Sequence, residues 1–148
     1  MPLWQRKEIQ AMSRKIKLVS VAVGIIINPQ NEVLVSLRPK QAIQGNLWEF
    51  PGGKIEVFED SYQALCRELK EEVDLTVIAA EAIMKVQHCY DDYEVTLEAW
   101  RVIKFKGEAR GLEGQRIRWM PIENISELPF LEANQVIINY LQQDIITQ

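Results

Sequence analysis

Histidine is nearly missing from this chain: His88 is the only one in 148 residues. A histidine-rich zinc site is therefore excluded, and a Ser-His-Asp triad could only run through His88. That residue sits in an apparent strand, KVQHCY, and is read as structural. Cysteine is almost as scarce, and Cys66 and Cys89 supply neither a disulfide framework nor a four-ligand zinc site. Long apolar runs are lacking as well. The longest, Val21 to Ile27, includes Gly24 and falls well short of the ~20 residues of a membrane helix. The opening MPLWQRKEIQ has no apolar core of the kind a secretion signal carries, so the expected location is cytoplasmic, with no membrane partner. Repeats, low-complexity tracts and linkers are absent too.

Basic charge is short in most of the chain. Residues 1–17 hold five basic groups against Glu8, leaving twelve basic and twenty acidic groups in the remainder, a net of −8. Such a body repels a nucleic-acid backbone, and no stable nucleic-acid partner is expected. A polyphosphate ligand would need a divalent cation between its own charge and that of the protein. The 47% hydrophobic and 26% charged content is that of a globular protein, and 17.2 kDa suits one domain with a real core. Residues 1–15 read as a flexible extension, with translation starting at Met1 or at Met12, and residues 16–148 as the folded domain.

KLVSVAVGIIIN starts as alternation and ends as a continuous β-branched run, the pattern of a buried strand. The turn residues Asn28 to Asn31 lead into EVLVSLRP, so the pair reads as a hairpin. KQAIQGN reads as a loop and LWEF as a short strand stopped by Pro51 and Gly52. Two further strands surround DDY, and QRIRWM is another. A helix is expected from about 133 to 143, with Val136, Ile137, Tyr140 and Leu141 facing the core.

The clearest helix follows Asp60, an N-cap whose capping box is completed by Gln63. From Gly52 to Leu75 the chain carries seven carboxylates: Glu56, Glu59, Asp60, Glu68, Glu71, Glu72 and Asp74. At about 100° per residue, Tyr62, Leu65, Cys66, Leu69 and Val73 share one arc, while Glu68, Glu71 and Glu72 occupy the arc beside it. Arg67 points off that arc, placed to hydrogen-bond a carboxylate or anchor a loop. Like charges three and four residues apart destabilise a helix by a few tenths of a kcal/mol per pair. Two readings stand: an acidic surface helix, or a site for a hard divalent cation held by oxygen ligands.

The wider spacing favours the second. Gly53, five residues, Glu59, seven residues, then Arg67-Glu68-Leu69-Lys70-Glu71-Glu72 resembles the Nudix hydrolase signature, G-x5-E-x7-R-E-U-x-E-E-x-G-U with U apolar, at every position but one. Chance would produce its six specified Gly, Arg and Glu positions on the order of once in a hundred thousand such chains. AVGIIIN, VLVSLRP, LWEFPGGKIE, EGQ with its following Trp, and LEAN extend the resemblance to the MutT-type branch, from about residue 16 to 143.

The resemblance implies an α+β fold, the Nudix α/β/α sandwich, in which helices flank a mixed β-sheet. It also implies an Mg²⁺-dependent nucleoside triphosphate pyrophosphohydrolase, Mn²⁺ being able to substitute, that converts 8-oxo-dGTP to 8-oxo-dGMP and pyrophosphate. Such an enzyme clears mutagenic nucleotides from the pool that feeds DNA replication. CTP or another modified triphosphate is the alternative substrate, and a non-catalytic nucleotide-binding regulator a further alternative. A monomer is expected. Carried over residue by residue, the resemblance makes Glu68, Glu71 and Arg67 catalytic, and makes Glu68, Glu71, Glu72 and the Gly52 carbonyl metal ligands. It puts Arg38 on phosphate, Asn134 on the purine edge, and Glu49, Phe50, Pro51, Gly52 and Gly53 around the same cleft. Glu59 and Glu113 are accessory. Read without the family, Asn134 is an N-cap for the last helix, Phe50 is core and Arg38 is solvated.

Three positions depart from the pattern. Asp74 stands where the motif has glycine, at a helix end that usually turns left-handed, at a cost of about 1 kcal/mol. Phe58 replaces a common glycine before Glu59, which is expected to narrow the cleft. A downstream carboxylate found before the tryptophan in some relatives is Arg118 here, with Glu113 its candidate substitute.

Overall fold

The β-branched run read from Lys17 onward becomes a central strand, because both of its edges and both of its faces are covered. The computed structural model describes residues 16–145, so the expected extension, residues 1–15 with Met12, lies outside the described residues. Strand β1 (Lys17–Ile26) pairs antiparallel with β4 (Gly52–Lys54) and parallel with β6 (Tyr93–Lys106). β5 (Thr76–Cys89) completes this mixed sheet in the order β4-β1-β6-β5. A second, antiparallel sheet has the order β3-β2-β7, from β3 (Trp48–Glu49), β2 (Glu32–Leu37) and β7 (Ile117–Pro121).

The expected hairpin is only partly formed. Asn28 Oδ1 accepts the Gln30 and Glu32 backbone N–H groups and makes the turn. After the single Ile27–Val33 bridge, however, the strands diverge into different sheets. β4 and β6 already occupy the two edges of β1, so β2 finds its partners in β3 and β7.

Period-two alternation sorts side chains between two cores. Val23, Ile25, Val33 and Val35 face one with Phe50, Leu97 and Ile137, while Ala22, Ile26 and Leu34 face the other with Leu65, Leu69 and Val102. The second core is closed by α1 (Ser61–Val73), which starts at the expected box: Asp60 accepts from the Gln63 N–H, and the Gln63 side chain accepts from the Asp60 N–H. Its buried arc lies slightly off the expected one, with Ala64 inside and Tyr62 and Cys66 at the margin. α1 ends at Asp74 in the left-handed conformation, φ 61° and ψ 34°.

The last helix is rotated from its expected setting. A 3₁₀ turn (Glu132–Asn134) leads into α2 (Gln135–Tyr140), followed by a π-helical turn (Leu141–Ile145). Asn134, Ile137, Ile138 and Leu141 form the buried stripe, while Val136, expected inside, is 51% exposed. The tighter 3₁₀ winding resets the phase of α2, and it places Asn134 on the inner face. Among the described residues no helix is long and apolar enough to cross a membrane.

Candidate active site

The last turn of α1 carries the chemistry because that end of the helix is enclosed. Its terminal carbonyls lack intrahelical donors, and the segment before β7 supplies them. Leu112 N–H and the Gln115 side-chain amide donate to the Glu72 carbonyl (3.0 and 2.9 Å), and Arg110 N–H donates to that of Val73 (2.9 Å). This docking brings Glu113 to the rim of a cavity of about 240 Å³ that Glu49, Gly52, Glu68 and Glu72 also line, with Arg38 its one basic wall among the described residues.

Glu72 is 8% exposed, and its Oε2 accepts the Gly52 N–H at 3.0 Å. Burial pushes its pKa up to about 8; the Gly52 hydrogen bond opposes the shift, and the charges of Glu49, Glu113 and Glu68 add to it. Burial also raises Glu68 and Glu49, against the lowering effect of Arg67 on the first and of Arg38 on the second. Four carboxylates thus face one small space at an electrostatic cost, an all-oxygen donor set whose chemistry fits a hard divalent cation. Yet among the described residues no three Asp, Glu, His or Cys side chains converge closely enough to hold one.

Arg67 holds one of these four, Glu68, together with two acids outside the cavity. It leaves the helix off the carboxylate arc, as expected, but its long side chain bends back to gather three of the acids. It donates to Glu59 (3.0 and 2.5 Å), Glu68 (2.8 Å), Glu71 (3.2 Å) and the Lys54 carbonyl (3.0 Å). The guanidinium, followed by the Glu56 N–H, holds the Glu59 carboxyl below its ordinary range. Glu68 lies where it can serve both Arg67 and the cavity. Glu71 does not: its side chain is 59% exposed and turned onto Arg67, outside the cavity.

The two glycines of β4 let the backbone come this close. A Cβ on Gly52 would overlap the Ala22 carbonyl, and one on Gly53 would overlap the Glu68 carboxylate.

A second cleft of about 490 Å³ opens on the other side of Arg38, Glu49 and Gly52, which line both spaces. Its floor is apolar, from Val21, Val23, Val95 and Leu97, and Asn134 and Gly53 stand in its wall. Arg38 is held at the junction: Nη1 donates to Glu49 (3.0 Å), and Nε and Nη2 donate to the Ile43 carbonyl (3.0 and 2.6 Å). It is therefore an anchored group and not a solvated one. Phe50 lines the cleft and is also core, 2% exposed with its ring 5.4 Å from that of Phe130. Pro51 lines neither space; its carbonyl accepts the Gly24 N–H (2.8 Å) and so aligns β4 on β1.

Asn134 precedes α2 but makes no side-chain cap, which removes the capping alternative. It is 3% exposed, and its Oδ1 accepts the Phe50 N–H at 3.4 Å. Phe58 is 99% exposed and lines neither space, so it does not narrow the cleft. Arg118 lies outside both cavities, whereas Glu113 is inside the smaller one. His88 lines neither; its Nε2 lies 3.5 Å from the Glu132 carboxylate. Sequence reasoning missed Gln115 and the aromatic pair Tyr90 and Tyr93. The pair's only signal was a tyrosine at each end of the DDY turn.

A family model described as NUDIX domain matches residues 22–140. Over 128 residues the chain is 38% identical to the 8-oxo-dGTP diphosphatase of Escherichia coli strain K12, a match covering 86% of this chain and 99% of that protein. It is 34% identical over 119 residues to the CTP pyrophosphohydrolase of the same organism, covering 80% and 87%. Among solved structures, one from a study of MutT from Aliivibrio salmonicida and Vibrio cholerae superposes with a TM-score of 0.74 at 34% identity, covering 84% of this chain and 97% of that one.

Proposed function

The chain belongs to the Nudix hydrolase family, and from that premise we propose that it is a Mg²⁺-dependent pyrophosphohydrolase converting 8-oxo-dGTP to 8-oxo-dGMP and pyrophosphate. The observation that carries this reading is the junction of two unlike spaces. An acidic cavity suited to cation and phosphates meets an apolar cleft suited to a base, and Arg38, Glu49 and Gly52 belong to both. A nucleoside triphosphate has the same two-part chemistry.

Glu72, Glu68 and the Gly52 carbonyl would hold the cation, which offsets the charge developing on the phosphate oxygens, and Glu71 would join them only by turning from Arg67 into the cavity. Arg67 orients Glu68 and Glu71 so that a carboxylate accepts a proton from the attacking water. Glu59 and Glu113 support this acidic shell. Water oxygen bonds to the β-phosphorus, the bond to the bridging oxygen on the α-phosphate breaks, and the monophosphate leaves. Arg38 meets a phosphate with a planar donor set. Asn134 reads the purine edge: with its Oδ1 committed to Phe50, its amide nitrogen is the group left for the cleft. The enzyme works as a monomer in the cytoplasm, without a nucleic-acid partner.

The test is purified protein with Mg²⁺ against a panel of ordinary and oxidised triphosphates, monitoring pyrophosphate. Preferred turnover of 8-oxo-dGTP supports the reading; preferred turnover of CTP transfers it to the second relative's substrate, for which the 34% identity speaks. Absence of turnover on every triphosphate sinks it. In ¹⁸O water the label should enter pyrophosphate, and label in the monophosphate would displace the attack from the β-phosphorus. Asn134→Ala should lose preference for 8-oxo-dGTP over dGTP, and full retention would remove Asn134 from recognition.

A further inference from the structure

The segment that presents Asn134 is short and weakly supported by its own helix. Ala133 lies in the 3₁₀ turn that opens it, where a backbone N–H has no acceptor within the coil. On one side the strand β3 secures this segment, with the Leu131 N–H donating to the Trp48 carbonyl at 3.0 Å. On the other side the Ala133 N–H donates to the Tyr90 hydroxyl at 3.2 Å, across 43 residues of sequence. Tyr90 is itself fixed. Its N–H donates to the Tyr93 carbonyl (2.8 Å), and its ring stacks on that of Tyr93 at 4.8 Å and meets the edge of His88 at 4.6 Å.

The geometry points to Tyr90 as a positioning residue for base selection: its hydroxyl holds the Ala133 N–H and thereby sets where the adjacent Asn134 amide stands in the cleft. Two independent observations meet here. Tyr90, Tyr93, Ala133 and Asn134 all line the apolar cleft, so the tether lies at the wall that a base would touch. The Asn134 carbonyl contact to Phe50 is long, at 3.4 Å, so that bond by itself fixes the amide loosely. A hydroxyl on the opposite hairpin supplies the second restraint. The tether acts through position, because a misplaced amide donor discriminates poorly between bases that differ at one edge. This inference rests on the proposed pyrophosphohydrolase reading, and its test separates the two.

Tyr90→Phe keeps the stacked ring and removes only the acceptor. Measured with Mg²⁺, it should lower the ratio of kcat/KM for 8-oxo-dGTP to that for dGTP by about five- to tenfold, the scale of one hydrogen bond. The change should appear in KM, with kcat held within about twofold. In an Asn134→Ala background the same substitution should leave the ratio where Asn134→Ala alone puts it, since the tether then has nothing to position. A thermal melt accompanies each variant; a loss of preference that adds fully to that of Asn134→Ala, or that follows only a falling Tm, assigns Tyr90 a merely structural role and overturns the proposal. So does unchanged preference in Tyr90→Phe. If the wild-type protein fails to distinguish the two nucleotides while hydrolysing others, both the substrate reading and this inference fall. A discriminating wild type with an indifferent Tyr90→Phe removes the inference alone.

Discussion

Glu72→Gln should stabilise the metal-free protein at pH 8 and leave it nearly unchanged at pH 5. Glu72 titrates at about 8 in the folded chain against an ordinary 4.5, with burial as the main cause. The folded state therefore binds that proton more tightly than the unfolded state does. Its contribution to stability is complete below about pH 4.5 and is lost as pH rises through 8. At 1.36 kcal/mol per tenfold change in proton affinity, the ceiling on that loss at pH 8 is about 4 kcal/mol. The cavity is open to water, and relaxation around the carboxylate brings the expected figure to roughly 2 kcal/mol. Glutamine keeps the shape and an oxygen for the Gly52 N–H while removing the charge, and it relieves Glu68 and Glu49 of a neighbour of like sign. For a chain of this size about 2 kcal/mol corresponds to a Tm gain of about 6 °C.

Calorimetric melts of both proteins in chelator at pH 5 and pH 8 would measure this. Equal shifts at the two pH values, or a lower Tm for the variant at pH 8, would refute the claim that buried charge at Glu72 is held at a cost. Because no nucleotide or metal enters the assay, the outcome bears on the electrostatics of the cavity and not on the substrate.

Gly53→Ala should drive the Glu68 carboxylate out of its place, since a Cβ there overlaps it, and kcat with saturating Mg²⁺ should fall by about 10²-fold; a value within threefold of the parent would mean that Glu68 can yield without consequence. Asp74→Gly should raise the Tm. It relieves a left-handed aspartate worth about 1 kcal/mol, offset by loss of the exposed Lys70–Asp74 ion pair at 3.0 Å, worth about 0.4 kcal/mol. A net gain of about 0.6 kcal/mol corresponds to ~2 °C, with activity unchanged; an equal or lower Tm would dispose of the strain argument.

What could be read in advance was what is decided by neighbours in the chain. Asp60 and Gln63 lie three apart and make their box whatever surrounds them. Asp74 follows the last turn of α1 and adopts the left-handed conformation that the missing glycine implied. The phase of α2 was illegible because a 3₁₀ turn precedes it, and a turn of different pitch leaves no mark in the apolar pattern of residues 136–141. Arg67 shows a subtler limit. Helical angles place its Cα correctly, but where a five-bond side chain ends depends on Lys54 and Glu59, which the loop before α1 brings into reach. Tyr90 and Ala133 meet across 43 residues, and no local rule foresees that hydrogen bond.

Local devices and the acidic cavity pull in opposite directions along one helix. The capping box at Asp60, the Arg67 network and the docking of Leu112 and Gln115 on its terminal carbonyls all favour α1, while burying Glu72 among Glu49, Glu68 and Glu113 disfavours it. Stability alone gives no reason for a carboxylate at 72, which is 8% exposed on the arc beside that of Leu69 and Val73. The carboxylate is buried at a cost among three others, so its reason lies in the cavity it faces. Asp74 has no such excuse: it lines neither cavity, and among the described residues its side chain pairs with Lys70 alone. The two residues, two positions apart, thus separate a cost that chemistry explains from one it does not, and glutamine at the first and glycine at the second should stabilise the metal-free fold for different reasons, with only the first depending on pH.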